Sequence, residues 1–272
     1  MAVKKLLQVK GRGFGVEGIL DPFASGLLIA ATGASTRFLS YFLTLPKTYT
    51  AEITLGSETD TLDPEGDVIR REPVPALQNS LLAEIAAKFT GEIGQIPPLY
   101  SNVKIDGQRA HRAARQGETV ELRPRRVRVH SLSLSLAMEF HSSPILMRCT
   151  VSSGTYIRSL ARDIARALGT CGYLSRLRRV SIGDFSAGEN PPPEPCGLIL
   201  SETPDFEALP FFGVVTVSEA EAKKFLNGMP LQGVEKTDGI YRIRTETRFL
   251  GLADIAGGVL RVEKIYSTQP EP

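Results

Sequence analysis

The segment Gly18-Ile19-Leu20-Asp21-Pro22-Phe23-Ala24-Ser25-Gly26 sets one carboxylate among apolar residues, directly before a rigid proline. A bare charge cannot be buried there cheaply, so Asp21 must face solvent, accept hydrogen bonds or pair with a cation. Two roles fit. One is a carboxylate held ready for chemistry in a water-poor pocket. The other is a helix N-cap, with Asp21 capping and Pro22 at the first helical position. The residues alone leave both open.

The remaining clusters spell motifs that their surroundings contradict. Gly13-Phe14-Gly15-Val16-Glu17-Gly18 reads G-x-G-x-x-G, but Pro22 falls inside the helix that a dinucleotide fold needs. No Asp or Glu occurs between Asp21 and Glu52 to hold a ribose. Ser101-Asn102-Val103-Lys104 reads S-x-x-K without the partner motifs of an acyl-serine enzyme. Asp60, Asp63, Glu65 and Asp67 imitate a calcium loop, but Pro64 interrupts it and the closing Glu is missing, which leaves a hairpin turn. His111, His130 and His141 lack metal-ligand spacing, and His130, in an apolar strand, reads as structural.

These residues need elements to position them. Phe23–Leu45 reads as a buried turn-and-helix unit ended by Pro46. Thr48–Leu55 alternates as a half-buried strand, with Tyr49, Ala51, Ile53 and Leu55 on one face. Asp63–Gly66 is a turn, and Val68–Ile69 begins the return strand. Ser80–Phe89 reads as a helix capped by Ser80, and Arg109–Gln116 as a short basic helix. Arg126–Phe140 is a strand with His130, Leu132, Leu134 and Leu136 on one side, and Ile145–Ser152 is another. Thr155–Leu168 is an amphipathic helix with Arg158, Arg162 and Arg166 spaced by four. Gly188–Pro195 is a loop or linker. Beyond Pro210, Ser218 and Glu221 form a capping box for a helix to about Leu226, followed by strands at Tyr241–Arg244, Arg248–Ala253 and Val259–Ile265. Strands and helices mix without strict βαβ alternation, so the fold class is α+β with a mixed, largely antiparallel sheet, flanking helices and a small β-rich C-terminal domain.

Composition excludes several classes. The 272 residues are 42% hydrophobic and 23% charged, which rules out global disorder. Cys149, Cys171 and Cys196 are scattered, so neither a disulfide framework nor a cysteine zinc site is expected, and usage points to the cytoplasm. The longest uncharged stretch, Pro22–Thr36, is too short and too polar to span a bilayer, and no secretory signal fits Met1–Gly13. Net charge is only +2, but residues 100–130 hold eight Lys/Arg against three acids. Residues 155–180 hold six Arg against one. Two basic zones on an otherwise acidic chain are the footprint of a polyanion binder, although solvated faces give the same count.

Several motifs, in order, resemble the bacterial tRNA pseudouridine-55 synthase family. Gly15–Gly26 is similar to G-H-T-G-x-L-D-P-x-A-x-G, with Val16 and Glu17 in place of the His and Thr, and Lys47-Thr48-Tyr49 to K-x-Y. Gly56–Gly66 resembles the family's Thr-Asp-Thr hairpin, and Pro97–Gly117 its P-P-x-Y-S-A-x-K block. Cys149–Asp163 resembles S-x-G-T-Y-I-R-x-L-x-x-D, and Leu177-Arg178-Arg179…Phe185 the L-R-R…G-x-F close. Val217–Asn227 and Phe249–Tyr266 look like the family's PUA-like tail.

The resemblance implies an isomerase that turns uridine 55 of the tRNA T loop into pseudouridine, without metal or organic cofactor. By resemblance Asp21 is the nucleophile, attacking ribose C1′ or assisting glycosidic cleavage by a related route, and Arg158 is its counter-ion. Tyr49 stacks on the flipped uracil and is a candidate to move the C5 proton, while Tyr156 and Leu177 wall the pocket. Lys104 and Arg109 lie in an RNA-gripping insertion at about 97–128. The catalytic domain would span 1–210 and the PUA-like domain 211–272. The partner would be tRNA, at its T stem-loop and elbow, with no membrane and no obligate protein partner. The competing expectation is a non-catalytic tRNA-binding or RNA-folding protein on the same scaffold. The family's opening D-K-P-x-G-x-[ST]-S segment is missing here; the expectation is that the natural protein starts upstream of Met1, the alternative being a genuine short form of reduced stability.

Overall fold

The structure, a computed structural model, describes residues 13–101, 104–105, 108–109, 122–137, 144–188 and 209–266. It divides into two compact units.

The larger unit comprises Gly18–Leu28 and the described residues from Tyr41 to 188. Its frame is a sheet in the order Phe185–Ser186, Gly172–Ile182, Lys47–Leu55, Ile145–Val151, Arg125–Leu136, Gly91–Gln95. Every neighbouring pair on that path is antiparallel, and Ser25–Gly26 joins the Gly172–Ile182 strand in parallel. Alternation decides the faces. Ile145, Met147, Cys149 and Val151 point into the core, while Leu146 and Arg148 between them are exposed. The helices Asn79–Lys88 and Ile157–Ala167 bury Leu82, Ile85, Leu160 and Ile164 in that same core.

The smaller unit comprises the described residues up to Glu17, Ile29–Ser40 and 209–266. Phe14–Glu17 pairs with Ile29–Thr32, and five strands form a sheet in the order Gly213–Thr216, Gly239–Arg244, Phe249–Ala256, Val259–Ile265, Leu231–Gln232. Phe38 packs against Phe249 with ring centroids 5.8 Å apart, and Lys264 Nζ donates to the Arg37 carbonyl at 3.0 Å. These contacts join the early segment to the C-terminal sheet.

Several sequence expectations stand as read. The strands at Lys47–Leu55, Ile145–Val151 and Val259–Ile265, the hairpin return at Val68–Arg71 and the helix Ile157–Ala167 lie where the patterns put them. The capping box is present, with Ser218 Oγ accepting from Glu221 N at 3.3 Å and Ser218 N donating to Glu221 Oε2 at 2.9 Å.

Others are corrected. Phe23–Leu45 is not one turn-and-helix unit: two short strands precede a 3-10 turn at Gly33–Phe38, and only Leu39–Leu43 is α-helical. Asp21 caps no helix; the Ala24 amide donates to its carbonyl at 2.9 Å in a tight turn that leads into a strand. The Asn79–Lys88 helix takes Gln78, not Ser80, as its N-cap. Arg109 lies in a short strand, Gln108–Arg109, rather than starting a helix, and 110–116 lie outside the described residues. His130 is exposed, because a bulge between Val129 and Ser131 inserts one residue and reverses the side-chain parity, so that Val127 and Val129 are buried. Residues 138–140, most of Gly188–Pro195, Cys196 and Met1–Arg12 also lie outside the described residues.

Candidate functional site

The Ile157–Ala167 helix supplies the central cation. Its N-terminus is fixed by Gln95, which is 1% exposed at the end of its strand. Gln95 Nε2 donates to the Tyr156 carbonyl at 3.1 Å, and its Oε1 accepts from the Tyr156 amide at 2.8 Å. Ser159 Oγ adds a bond to the Ile96 carbonyl at 2.8 Å. Tyr156 is the helix N-cap residue, so Arg158 projects from a first turn held on two sides.

Arg158 is 7% exposed and turns its guanidinium edge to Asp21. Nη2 donates to Oδ1 at 3.1 Å, and Nε lies 2.9 Å from Oδ2. This two-point match of planar groups fixes orientation as well as charge. The remaining donors are also engaged: Nη1 with the Thr61 carbonyl at 2.8 Å and Asp63 Oδ2 at 3.1 Å, and Nη2 with the Tyr100 carbonyl at 3.2 Å. Arg158 therefore cannot follow Asp21 if that carboxylate moves.

Asp63 belongs to the hairpin whose acids imitate a calcium loop. Its Oδ1 accepts from Thr61 Oγ1 at 2.6 Å and from the Glu65 amide at 3.0 Å, while Thr59 Oγ1 donates to its carbonyl at 2.8 Å. Leu62, beside it, is a buried residue at φ 62°, a conformation that side chains rarely adopt. The Leu174 amide holds the Leu62 carbonyl at 3.1 Å. Asp63 escaped the sequence reading as a site residue because its partner lies on a distant helix. Nothing in the order of types marks Gln95 either.

The Asp21 loop is moored to the Gly172–Ile182 strand. Gly26 has φ +108°, and a Cβ there would fall 2.2 Å from the Arg179 carbonyl, so only glycine permits this approach. The Leu27 amide donates to that carbonyl at 2.8 Å, and Arg179 Nε donates to the Leu27 carbonyl at 2.7 Å. The Asp21 pKa is raised: burial lifts it most, Arg158 pulls it down, and neighbouring Asp63 pushes it up.

Tyr49 stands on the central strand opposite both Cys149 and Arg179. Its hydroxyl feels the charges of Arg179 and Asp21. Burial raises its pKa, and Arg179 opposes that rise. Lys47, of the same K-x-Y motif, points elsewhere and donates from Nζ to the carbonyls of Phe42 and Leu43 at 3.0 and 2.6 Å. Cys149 is fully buried with its thiol pKa pushed up to about 12, and acts as a packing residue.

Of the residues singled out in sequence, Asp21 and Arg158 are in direct contact, and Tyr49 is within electrostatic reach of Asp21. Leu177 is buried at 7% exposure in the core cluster. Lys104 and Arg109 pair across a separate two-stranded ribbon. Among the described residues, no three His, Cys, Asp or Glu side chains are grouped to hold a metal ion. An ionised carboxylate locked to a buried guanidinium, with a phenol nearby, can attack an electrophilic carbon and hold a ring against the pocket wall.

Residues 4–157 match the profile of the TruB family pseudouridylate synthase N-terminal domain, and residues 213–265 match that of the pseudouridine synthase II TruB C-terminal region. The chain is 39% identical over 264 residues to tRNA pseudouridine synthase B of Azoarcus sp. (strain BH72), covering 94% of this chain and 86% of the relative. It is 37% identical over 265 residues to tRNA pseudouridine synthase B of Aquifex aeolicus (strain VF5), covering 95% and 91%. Among solved structures, a chain of a Cbf5-Nop10-Gar1 complex shares the fold, with TM-score 0.67 and 22% identity over 98% of this chain and 79% of that one.

Proposed function

Because this chain belongs to the TruB family of pseudouridylate synthases, we propose that it isomerises uridine 55 in the T loop of tRNA, with Asp21 as the nucleophile. The observation that carries this reading is the two-point pairing of the buried Arg158 with the half-buried Asp21. It keeps the carboxylate charged and aimed in a setting that otherwise favours the neutral acid.

The target base lies in a folded loop and must be flipped out to reach Asp21, which costs a few kcal/mol of unstacking. Asp21 then attacks ribose C1′, and the C1′–N1 bond breaks with its electron pair passing to the uracil. The base turns and C5 forms the new bond to C1′, releasing the Asp21 carboxylate. The C5 proton leaves, N1 takes up a proton, and the balance is an isomerisation. Tyr49 stacks on the base and stands where the C5 proton could be moved, while Tyr156 and Leu177 line the pocket. Lys104, Arg109 and the exposed Arg125, Arg126 and Arg128 supply phosphate contacts. No helix among the described residues is long and apolar enough to cross a membrane.

The test is to incubate the protein with an unmodified tRNA transcript and map pseudouridine by sequence position. Conversion at position 55 is the expected result. Conversion only elsewhere would overturn the target, and conversion nowhere would overturn the activity.

A further inference from the structure

Arg179 is 2% exposed, yet among the described residues it forms no ion pair. Its Nε serves the Leu27 carbonyl at 2.7 Å, and its charge is felt at the Tyr49 hydroxyl on the neighbouring strand. Its Nη2 is buried without any hydrogen-bond partner. The guanidinium lies under the Asp21 loop, with Nη1 3.0 Å and Nη2 3.9 Å from where a Gly18 Cβ would stand. An arginine sealed from water without a carboxylate, and with an idle donor, is costly unless something supplies the missing acceptor. Asp21 does not, because both its oxygens face Arg158.

The reaction itself generates an acceptor. When C1′–N1 breaks, the bonding pair leaves with the base, and the charge of the resulting uracil anion spreads over N1, O2 and O4. We propose that Arg179 is a further catalytic residue, whose Nη2 donates to an anionic oxygen of the detached uracil while Tyr49 packs on its ring. This rests on the isomerase reading above and extends it. Arg158 then serves the nucleophile and Arg179 the leaving group. Nη2 is closed to solvent in the free protein, so the flipped base must shift the atoms that cover it before this donor can meet the charge that develops. The same contact keeps the free base in place while it turns.

The test varies how much the leaving group needs help. Single-turnover glycosidic cleavage is measured for wild type, Arg179→Gln and Arg179→Lys on T-stem-loop RNA carrying uridine or 5-fluorouridine, whose base is the more acidic and leaves more readily as an anion. Arg179→Gln is expected to lose about 10²-fold or more on uridine, the usual effect of removing one such donor, and at least ~10-fold less on 5-fluorouridine. Arg179→Lys, which keeps the charge but misplaces it, should show the same bias at smaller amplitude. Equal losses on both substrates in the soluble variants would overturn the proposal and leave Arg179 as a mooring for the Asp21 loop. If Arg179→Gln does not fold, the Arg179→Lys comparison alone decides. Wild-type protein inactive on uridine would instead overturn the isomerase reading on which the proposal rests.

Discussion

As the proposed nucleophile, Asp21 would meet two opposed demands: shelter from water to react, and ionisation to attack. Burial raises its pKa, and Arg158 lowers it again without restoring the ordinary value. A carboxyl whose folded pKa exceeds its unfolded one contributes stability that is complete below the unfolded pKa and lost as pH rises through the folded one. At neutral pH the ionised Asp21 is therefore a cost to the fold. We expect Asp21→Asn to melt no lower than wild type at neutral pH while losing isomerisation. A clear drop in melting temperature would show that the charged pair stabilises the fold. The acid limb of kcat/KM should fall at a pH above the ordinary aspartate value of 3.8. A limb at or below that value would contradict the raised pKa. Arg158 differs in kind, since its loss strands two carboxylates, one of them the 6%-exposed Asp63 side chain. Arg158→Met should cost about 3–5 kcal/mol in denaturant unfolding as well as activity. Unchanged stability would mean that Asp63 finds another partner.

At the scale of elements, the helix Ile157–Ala167 works as a clamp. The arginines spaced by four look like a basic surface stripe in sequence, but Arg158 and Arg166 bind the hairpin at Asp63 and Glu58, and Arg162 binds the Ile96 carbonyl. The Asp21 loop and this hairpin thus meet on one helix. The capping box at Ser218 and Glu221 is a local feature that the structure bears out bond for bond. Ser218→Ala should destabilise the protein by about 1 kcal/mol in denaturant titration; no change would mean that the cap bonds are replaced by water. The same contrast explains what was legible. Alternation gave the strands, and residue order at Ser218 gave the cap, because both depend on near neighbours. The bulge that exposes His130 depends on pairing with Ile145–Val151, and the Gln95 clamp on Tyr156 joins residues 61 positions apart. Motif resemblance singled out Asp21 and Arg158, 137 positions apart, but Asp63 read as a plain turn. Its acceptor role exists only once the helix is in place.

For the whole molecule, counting charge along the chain overstated what reaches the surface. Arg158, Arg162 and Arg179 are buried, so half of the cations of the zone 155–180 lie inside the protein, while Arg166, paired with Glu58, Arg176, 3.6 Å from Glu52, and Arg178, bonded to the Gly188 carbonyl, remain nearer the surface. In the other zone Arg125, Arg126 and Arg128 are exposed on one strand. Substituting Arg125 and Arg128 by Gln should weaken tRNA binding and lower the slope of log affinity against log salt by about 1 per lost phosphate contact. An unchanged slope would place the RNA elsewhere. The central claim is that Asp21 drives a carbon–nitrogen to carbon–carbon exchange at uridine, and release of tritium from C5-labelled uridine in a T-stem-loop RNA reads that exchange directly. Wild type should release tritium to completion, and Asp21→Asn, binding the RNA within a few fold of wild type, should release none above background; release by Asp21→Asn within tenfold of wild type would contradict the account.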